Sequence, residues 1–269
     1  MIVIDDPDDP RVAPFRLNER GLTSRAQRRD DGGDGLFIAE GDLVVGRALD
    51  AGCVPLMVLV DAKSPPPIVQ RLADIVPVYS GGERLRAAIT KLGMPYSVVA
   101  LFQRPPRATV AELVERAQRL VVVEAVDNPV NIGSIARNAL ALGWDGLLLD
   151  STCADPLARR ALRVSMGHSL HLRHARARDL GAAIGSLNAA GVVVCALTPA
   201  PDALPIHEIP TAQRMAVLVG SERGGLTEAT MMAATYRVSI PMIDGVDSLN
   251  VAAATAIACW QLRSASARC

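Results

Sequence analysis

The chain has 269 residues, of which 50% are apolar and 21% charged, a composition that excludes disordered and fibrous proteins. Its length predicts about two domains, each large enough to bury a core. Lysine and arginine together number 28, as do aspartate and glutamate, so no overall charge attracts the chain to a polyanion. Only 3% of the residues are aromatic, which disfavours a surface that binds nucleic acids by stacking bases on several rings.

The five cysteines are an odd number and form no C-x-x-C pair, which argues against a disulfide framework and against a zinc site. Such cysteine usage is typical of a reducing compartment. The first ten residues, MIVIDDPDDP, lack the basic and apolar regions of a secretory signal, and no apolar run approaches the ~18 residues of a membrane helix. We therefore expect a cytoplasmic protein with no membrane segment and no bound metal.

The amino-terminal part of the chain predicts a basic arm followed by a small α/β domain. Residues 1–35 form the polar arm, and residues 36–102 alternate short apolar runs with amphipathic stretches. Helices are expected at 41–52, near 66–74 and at 82–91, and strands at 55–60, 76–79 and 96–102. Two prolines in the segment 103–109 disfavour a helix and remove amide donors, so this segment is predicted to be a linker.

The alternation is stronger in residues 110–269, which we predict to form the second domain. Strands are expected at 120–126, 145–150, 191–198, 215–220 and 236–241, with helices between them. Four of these runs are almost wholly apolar, which is typical of parallel strands covered on both faces. The prediction is therefore a mostly parallel sheet with helices on both faces, and such sheets bind ligands beyond the carboxyl ends of their strands.

Three segments at predicted strand ends concentrate glycines and polar residues. In the first, residues 127–143, Asn131 is able to cap a helix and Gly133 leaves its first turn open to a ligand. Arg137 follows Asn131 by six positions and shares a helix face with it only loosely. Taken alone, this pattern is also that of a capped helix with a solvated arginine.

The second segment, residues 217–229, places a glycine-rich corner after a buried strand, where backbone groups can approach a ligand closely. It matches neither the P-loop nor G-x-G-x-x-G, which disfavours a nucleotide-dependent enzyme such as a dehydrogenase. A plain structural turn, in which Glu222 and Arg223 pair with each other, is the alternative. The third segment, residues 238–260, joins a strand to an alanine-rich helix through a turn in which Ser248 and Asn250 could simply be caps.

Together and in this order, the three segments resemble the signature motifs of the SpoU (TrmH-like) branch of the SPOUT RNA methyltransferases. The matching sequences are NIGSIARNA, GSERGGL and IPMIDGVDSLNV, and the joint match spans residues 121–262. The sequences LFIAEG at 36–41 and ERL at 83–85 resemble the small L30e-like RNA-binding domain that often precedes this fold. The resemblance is thus spread over both predicted domains.

The resemblance implies methyl transfer from S-adenosylmethionine to a ribose 2′-hydroxyl of rRNA, in a homodimer whose carboxyl-terminal chain is tied in a trefoil knot. A tRNA substrate, an antibiotic-resistance rRNA enzyme and a non-catalytic RNA-binding relative are the alternatives. The implied catalytic residues are Arg137, Asn131, Glu222, Ser248 and Asn250. The implied cofactor-binding residues are Thr198, Gly220, Ile240 and Leu249.

A guanidinium stays protonated in proteins, so we interpret Arg137 as positioning a phosphate and stabilising developing negative charge, not as a base. Residues 156–178 hold six arginines, three histidines and no acid, which beside the motifs indicates a phosphate-binding patch. The candidate RNA contacts are Arg159, Arg160, Arg163, Arg173 and Arg176. The histidine spacing could suit a metal, but no acidic or cysteine partner is near and methyl transfer requires none.

Overall fold

The computed structural model describes residues 1–24, 35–243, 246 and 248–263. Its strands are β1 (Ile2–Val3), β2 (Leu36–Glu40), β3 (Pro55–Asp61), β4 (Val78–Gly81), β5 (Val98–Gln103), β6 (Arg119–Val123), β7 (Gly146–Leu149), β8 (Arg173–Arg176), β9 (Val193–Leu197), β10 (Leu204–Pro205), β11 (Met215–Val219) and β12 (Tyr236–Ser239). Its α-helices are α1 (Glu19–Leu22), α2 (Asp42–Asp50), α3 (Glu83–Thr90), α4 (Val110–Arg116), α5 (Pro129–Ala141), α6 (Arg159–Val164), α7 (Leu180–Ala189), α8 (Glu228–Ala233) and α9 (Val251–Gln261).

The chain divides into two compact units and passes between them three times. Unit 1 comprises Met1–Pro106 and Leu157–Leu170, and unit 2 comprises Arg107–Pro156 and His171–Cys269. This division differs from the predicted one in that the first 24 residues and α6 belong to unit 1. The remainder of the predicted arm, residues 25–34, lies outside the described residues.

Unit 1 is built on a five-stranded mixed sheet in the order β1-β4-β3-β5-β2. β4 is parallel to β1 and β3, whereas β5 is antiparallel to β3 and β2. Phe37 and Phe102 stack in the apolar cluster on one face, with ring centroids 5.2 Å apart. Val12 and Phe15 are buried in the cluster on the other face, which is why the first residues join this unit and form no separate arm.

A buried carboxylate holds α6 in unit 1. The side chain of Glu40 is 1% exposed, and Arg159 donates from Nε to its Oε1 at 2.9 Å. Nη1 of Arg163 lies 3.5 Å from the other carboxylate oxygen. Leu157 and Leu162 are buried in the same cluster as the stacked phenylalanines. Because a buried charge is costly unless it is paired, Glu40 and the two arginines keep this segment in place.

Unit 2 contains a seven-stranded sheet in the order β10-β12-β9-β11-β6-β7-β8, in which every adjacent pair is parallel. Successive side chains of a strand face opposite sides, so Val121 and Val123 pack with α5 and α9 while Leu120 and Val122 pack with α4 and α7. The central strands are therefore apolar throughout. The predicted parallel sheet with helices on both faces is confirmed.

The predicted strands of unit 2 overlap β6, β7, β9, β11 and β12. Sequence reasoning missed β8 and β10, which are the two edge strands of this sheet. The sequence of β8, RHAR, predicts only a charged segment, because an edge strand needs no continuous apolar run. In unit 1, the helix expected near 66–74 is a 3-10 turn (Pro67–Arg71). No helix among the described residues is long and apolar enough to cross a membrane.

Candidate active site

A cavity of about 410 Å³ opens at the carboxyl ends of β9, β11 and β12. These strands are neighbours in the sheet, so the residues that follow them meet at one edge. Thr198 follows β9, Gly220 follows β11, Ile240 follows β12, and Leu249 precedes α9. All four line the cavity. The structure therefore brings the four candidate cofactor-binding residues together.

The walls of the cavity are largely apolar. Sequence reasoning missed several residues that line it, namely Leu197, Pro199, Val219, Met242, Val251 and Ala254. Most of them adjoin a predicted site residue in sequence, so the rule that ligands bind at strand ends could have found them. An apolar cavity of this size with a few polar groups is typical of a small-molecule site.

Gly220 is required where the glycine-rich segment folds back on itself. A β-carbon at this position would lie 2.5 Å from the backbone nitrogen of Leu226 and closer still to the carbonyl of Gly225. The N–H of Gly225 donates to the carbonyl of Ser221 at 3.0 Å, which closes the turn. Glycine therefore allows the backbone at the end of β11 to approach both its own loop and the cavity.

Two helix amino-termini meet beside the cavity. Asn128 caps α5 and Pro129 occupies its first position, which places Asn131 in the first turn, 6% exposed. Asn250 caps α9 by accepting the N–H of Ala252 at 3.0 Å. Its Nδ2 also donates to Oδ1 of Asn131 at 3.2 Å. The first and third segments of the sequence are thus hydrogen-bonded to each other.

Four of the five candidate catalytic residues are gathered here. Glu222, Ser248 and Asn250 line the cavity, and Asn131 reaches it through Asn250. Arg137 is exposed on α5 and is absent from the described residues that line the cavity. Six residues of α-helix separate its Cα from that of Asn131 by about 9 Å along the axis. The geometry of a single chain thus leaves Arg137 at the surface.

The candidate RNA-contacting arginines are divided between the two units, and three of the five are engaged within their own unit. Arg159 and Arg163 are engaged with Glu40 in unit 1. Arg176 is buried in unit 2, where it donates to the carbonyl of Asp150 at 2.8 Å and to a second carbonyl at 3.1 Å. The two exposed members of the set are Arg160 in unit 1 and Arg173 in unit 2.

The described residues near the cavity offer little for thiol or metal chemistry. Cys195 lies in β9, two residues before Leu197, and burial raises the pKa of its thiol to about 12. The thiol is therefore protonated near neutral pH and is a poor nucleophile. Within the described ranges, no group of three or more histidine, cysteine, aspartate or glutamate side chains could hold a metal ion.

The fold and the cavity define a parallel-sheet protein that binds a small molecule at a carboxyl edge, between a glycine-rich loop and a helix amino-terminus. Comparison with known proteins shows which family has this arrangement. Residues 118–260 match the model of the SpoU rRNA methylase family. This match covers more than half of the chain, and the chain therefore belongs to the SpoU rRNA methylase family.

Relatives along the whole chain agree with this assignment. A protein of Mycobacterium tuberculosis named an uncharacterized tRNA/rRNA methyltransferase is 39% identical, over 95% of this chain and 89% of the relative. The 23S rRNA (guanosine(2553)-2′-O)-methyltransferase RlmP of Bacillus subtilis is 30% identical, over 84% of this chain and 88% of the relative. An rRNA methyltransferase of Sinorhizobium meliloti solved with bound AdoMet has a TM-score of 0.82 and 26% identity, over 97% and 96% of the two chains.

Proposed function

We propose that this chain transfers the methyl group of S-adenosylmethionine to the 2′-hydroxyl of a ribose in rRNA. Family membership and the similarity to RlmP, whose name states this reaction on 23S rRNA, support the proposal. The observation that carries it is the cavity at the ends of β9, β11 and β12. Four cofactor-binding and three catalytic candidates line this cavity together, and they come from the end of β9, from the glycine-rich segment and from the stretch between β12 and α9. An RNA substrate also favours a cytoplasmic location.

The cavity fits S-adenosylmethionine. Its volume of about 410 Å³ lies in the range of small-molecule sites, roughly 300–1,000 Å³. Leu197, Val219 and Val251 offer apolar walls to an adenine ring and a thioether chain, and Gly220 brings the backbone of the glycine-rich segment to the cavity wall, where peptide groups can bind polar edges. Bound there, S-adenosylmethionine supplies an activated methyl group. The task left to the protein is to align a weakly nucleophilic ribose hydroxyl with it.

We assign the chain's polar residues to that alignment. Asn250 and Asn131, hydrogen-bonded to each other, hold the amino-termini of α9 and α5 beside the cavity and present amide groups to the ribose. Glu222 and Ser248 line the cavity, and Ser248 offers a hydroxyl to the reacting oxygen or to a phosphate. Arg137 is exposed and is therefore accessible to an RNA phosphate and to negative charge developing on the oxygen.

The exposed arginines Arg160 and Arg173 are the proposed phosphate contacts outside the cavity. Arg159, Arg163 and Arg176 belong to the same sequence cluster, but Glu40 and buried carbonyls already use their guanidinium groups. We therefore assign these three chiefly to holding the fold, with RNA contact as a secondary role. Because the net charge of the whole protein is zero, such local contacts attract the RNA, and an overall electrostatic field does not.

We also propose that the enzyme is a homodimer that pairs through the exposed side of α9. Ile257 and Trp260 lie three residues apart on this helix and are 41% and 56% exposed. Large apolar side chains placed together on one helix face are typical of an interface. A second copy of the chain is the proposed partner, because a two-fold contact needs only this one patch.

Mapping of 2′-O-methyl sites in total RNA, with and without the gene, tests the function. We expect one rRNA nucleotide to lose its methyl group in the deletion strain and to regain it when purified protein and S-adenosylmethionine are added to the undermethylated RNA. Loss of a tRNA methyl group instead would establish the alternative substrate. Binding of RNA without any methyl transfer would establish a non-catalytic relative.

A further inference from the structure

A single residue, Glu124, holds both ends of the glycine-rich segment that forms one wall of the cavity. Glu124 follows β6, and its backbone N–H donates at 2.9 Å to the carbonyl of Val219, the residue before Gly220. Its side chain accepts the N–H of Thr227, the residue after Leu226, at 2.9 Å. The segment 220–226 is therefore a loop whose two ends are attached to one residue of the neighbouring strand.

The chemistry of this attachment requires a carboxylate. Oε1 of Glu124 accepts from the hydroxyls of Thr227 and Thr230, at 3.0 and 2.7 Å, while Oε2 accepts the N–H of Thr227. Glu124 is 8% exposed and Thr230 is 4% exposed, so water is a poor substitute for the contact between these two residues, whereas Thr227 is exposed. A glutamine has the same shape but only one acceptor oxygen, so it cannot accept from the N–H of Thr227 and from the hydroxyls of Thr227 and Thr230 at the same time.

The hydrogen bonds described within the loop itself are both made to Ser221. Within it, the N–H groups of Gly224 and Gly225 donate to Oγ and to the carbonyl of Ser221, at 3.2 and 3.0 Å. Three of the seven residues in the segment are glycines, whose backbone is intrinsically free. Gly220, Ser221, Glu222 and Gly225 nevertheless all line the cavity. Their placement therefore depends on the two ends being fixed.

We propose that Glu124 is a positioning residue for the methyl donor: its carboxylate fixes the loop 220–226 and so sets the affinity of the cavity for S-adenosylmethionine. The proposal rests on the assignment of the cavity to this cofactor. Glu124 does not line the cavity among the described residues and so acts through the loop. Neither the sequence motifs nor the lining of the cavity had singled it out.

The test is titration of S-adenosylmethionine into purified wild-type, Glu124→Gln and Glu228→Gln proteins. Glu228 lies next to Thr227 but is exposed, so Glu228→Gln is a matched control for the same chemical change. Because Glu124→Gln removes the negative charge and one of the two acceptor oxygens that hold Thr227 and Thr230, we expect its Kd to rise about tenfold. The control should bind as the wild type does. Amide hydrogen exchange should accelerate at residues 220–227 in Glu124→Gln and stay unchanged in the central strands β6 and β11.

A second pair of variants guards against misfolding of the first. Thr227→Ser keeps both donors to Glu124 and should retain wild-type affinity, whereas Thr227→Ala loses the hydroxyl and should bind more weakly. In the double variant Glu124→Gln/Thr227→Ala the losses should be less than additive, because both act on one contact. Additive losses would instead indicate that Thr227 acts only as the cap of α8.

An unchanged Kd for Glu124→Gln, or accelerated exchange throughout the protein, would overturn the role of Glu124. If Glu124→Gln does not fold, equal affinities of Thr227→Ser and Thr227→Ala overturn it. Failure of the proposed function looks different, because the wild-type protein itself would then show no binding of S-adenosylmethionine.

Discussion

Single residues decide how closely the backbone approaches the cavity. Gly220 and Gly224 lie four positions apart in the same loop, yet only the first is crowded, by the backbone of Gly225 and Leu226. The nearest atom to a β-carbon at 224 would be Oγ of Ser221, at 3.7 Å, which is an ordinary contact. The two glycines therefore have different tolerances to the same substitution.

For Gly220→Ala we expect a Kd for S-adenosylmethionine about 5- to 150-fold higher, since overpacking costs roughly 1–3 kcal/mol and the backbone that must move lines the cavity. Isothermal titration measures this change. Gly224→Ala is the control and should bind nearly as the wild type does. Equal affinities of both variants would show that the crowding at 220 does not control the cavity.

Arg137 is assigned to catalysis and not to cofactor binding, because it is exposed on α5 while the described lining of the cavity lacks it. Arg137→Ala should lower the rate of methyl transfer by roughly 10²-fold or more, through loss of charge stabilisation. Its Kd for S-adenosylmethionine should stay close to that of the wild type. Arg137→Lys keeps the charge but not the bidentate geometry, and should be intermediate. A parallel loss of rate and cofactor affinity would contradict the assignment.

Elements of unit 2 are tied together at the end of the sheet opposite the cavity. Arg119 begins β6, is 5% exposed, and donates to four backbone carbonyls. These are the carbonyls of Leu262 after α9, Gln118, and Ala212 and Gln213 before β11, at distances of 2.7–3.1 Å. Burial lowers the pKa of Arg119 from its usual value. One side chain thus joins the starts of two strands to the end of a helix.

Arg119→Met preserves the apolar stem but leaves those carbonyls without a donor. We expect the free energy of unfolding to fall by about 3 kcal/mol, as for other buried charged hydrogen-bond donors. Urea unfolding followed by circular dichroism measures it. The exposed residue Arg116 at the end of α4 supplies the control, since Arg116→Met should change stability by no more than about 0.5 kcal/mol.

The elements that sequence reasoning predicted are those whose periodicity is local. β6, β9 and β11 are covered on both faces, so their apolar runs are continuous and the sequence alone predicts them as strands. β8 lies at an edge and ends in the buried Arg176, whose acceptors are up to 26 residues away, so no local pattern distinguishes it from a solvated basic stretch. α6 was assigned to the wrong unit for the same reason, since Arg159 meets Glu40 across 119 positions.

The site was predictable to the extent that its residues sit at strand ends. Thr198, Gly220 and Ile240 follow three strands whose adjacency in the sheet makes them neighbours. Met242 and Pro199 were missed because their side chains carry no chemistry that a motif would single out. The hydrogen bond between Asn131 and Asn250 joins two helix caps and depends on the tertiary fold, which neither cap reveals on its own.

Burial also controls the pKa, and hence the reactivity, of the cysteine thiols across the molecule. Burial raises the pKa of Cys53 to about 11 and of Cys195 to about 12, and raises the pKa values of Cys153 and Cys259 as well. At pH 8 the thiolate fraction of Cys53 is then about 10⁻³. We expect iodoacetamide to leave these four cysteines unmodified in the native protein and to label them in guanidinium, as read by peptide mass mapping. Rapid native labelling of Cys195 would contradict the burial.

Measuring the oligomeric state tests whether the exposed side of α9 is the contact between two copies of the chain. Ile257→Glu places a charge in the proposed contact between copies, where it would be desolvated, so we expect the variant to sediment as a monomer while the wild type sediments as a dimer. Met232 on α8 is 78% exposed, and Met232→Glu serves as the control with an unchanged dimer. A dimer that persists in Ile257→Glu would place the interface elsewhere.

Because the chain passes three times between its units, a simple truncation does not separate them. A fragment that stops at residue 106 would lack α6, and Glu40 would lose both arginines that neutralise it while Leu157 and Leu162 no longer cover the apolar face. Transplanting the amino-terminal module onto another scaffold therefore needs a graft of the distant loop 157–170 as well. Insertions or deletions inside the segment 157–170 would first disturb the amino-terminal part of unit 1, which ends about 50 residues before it.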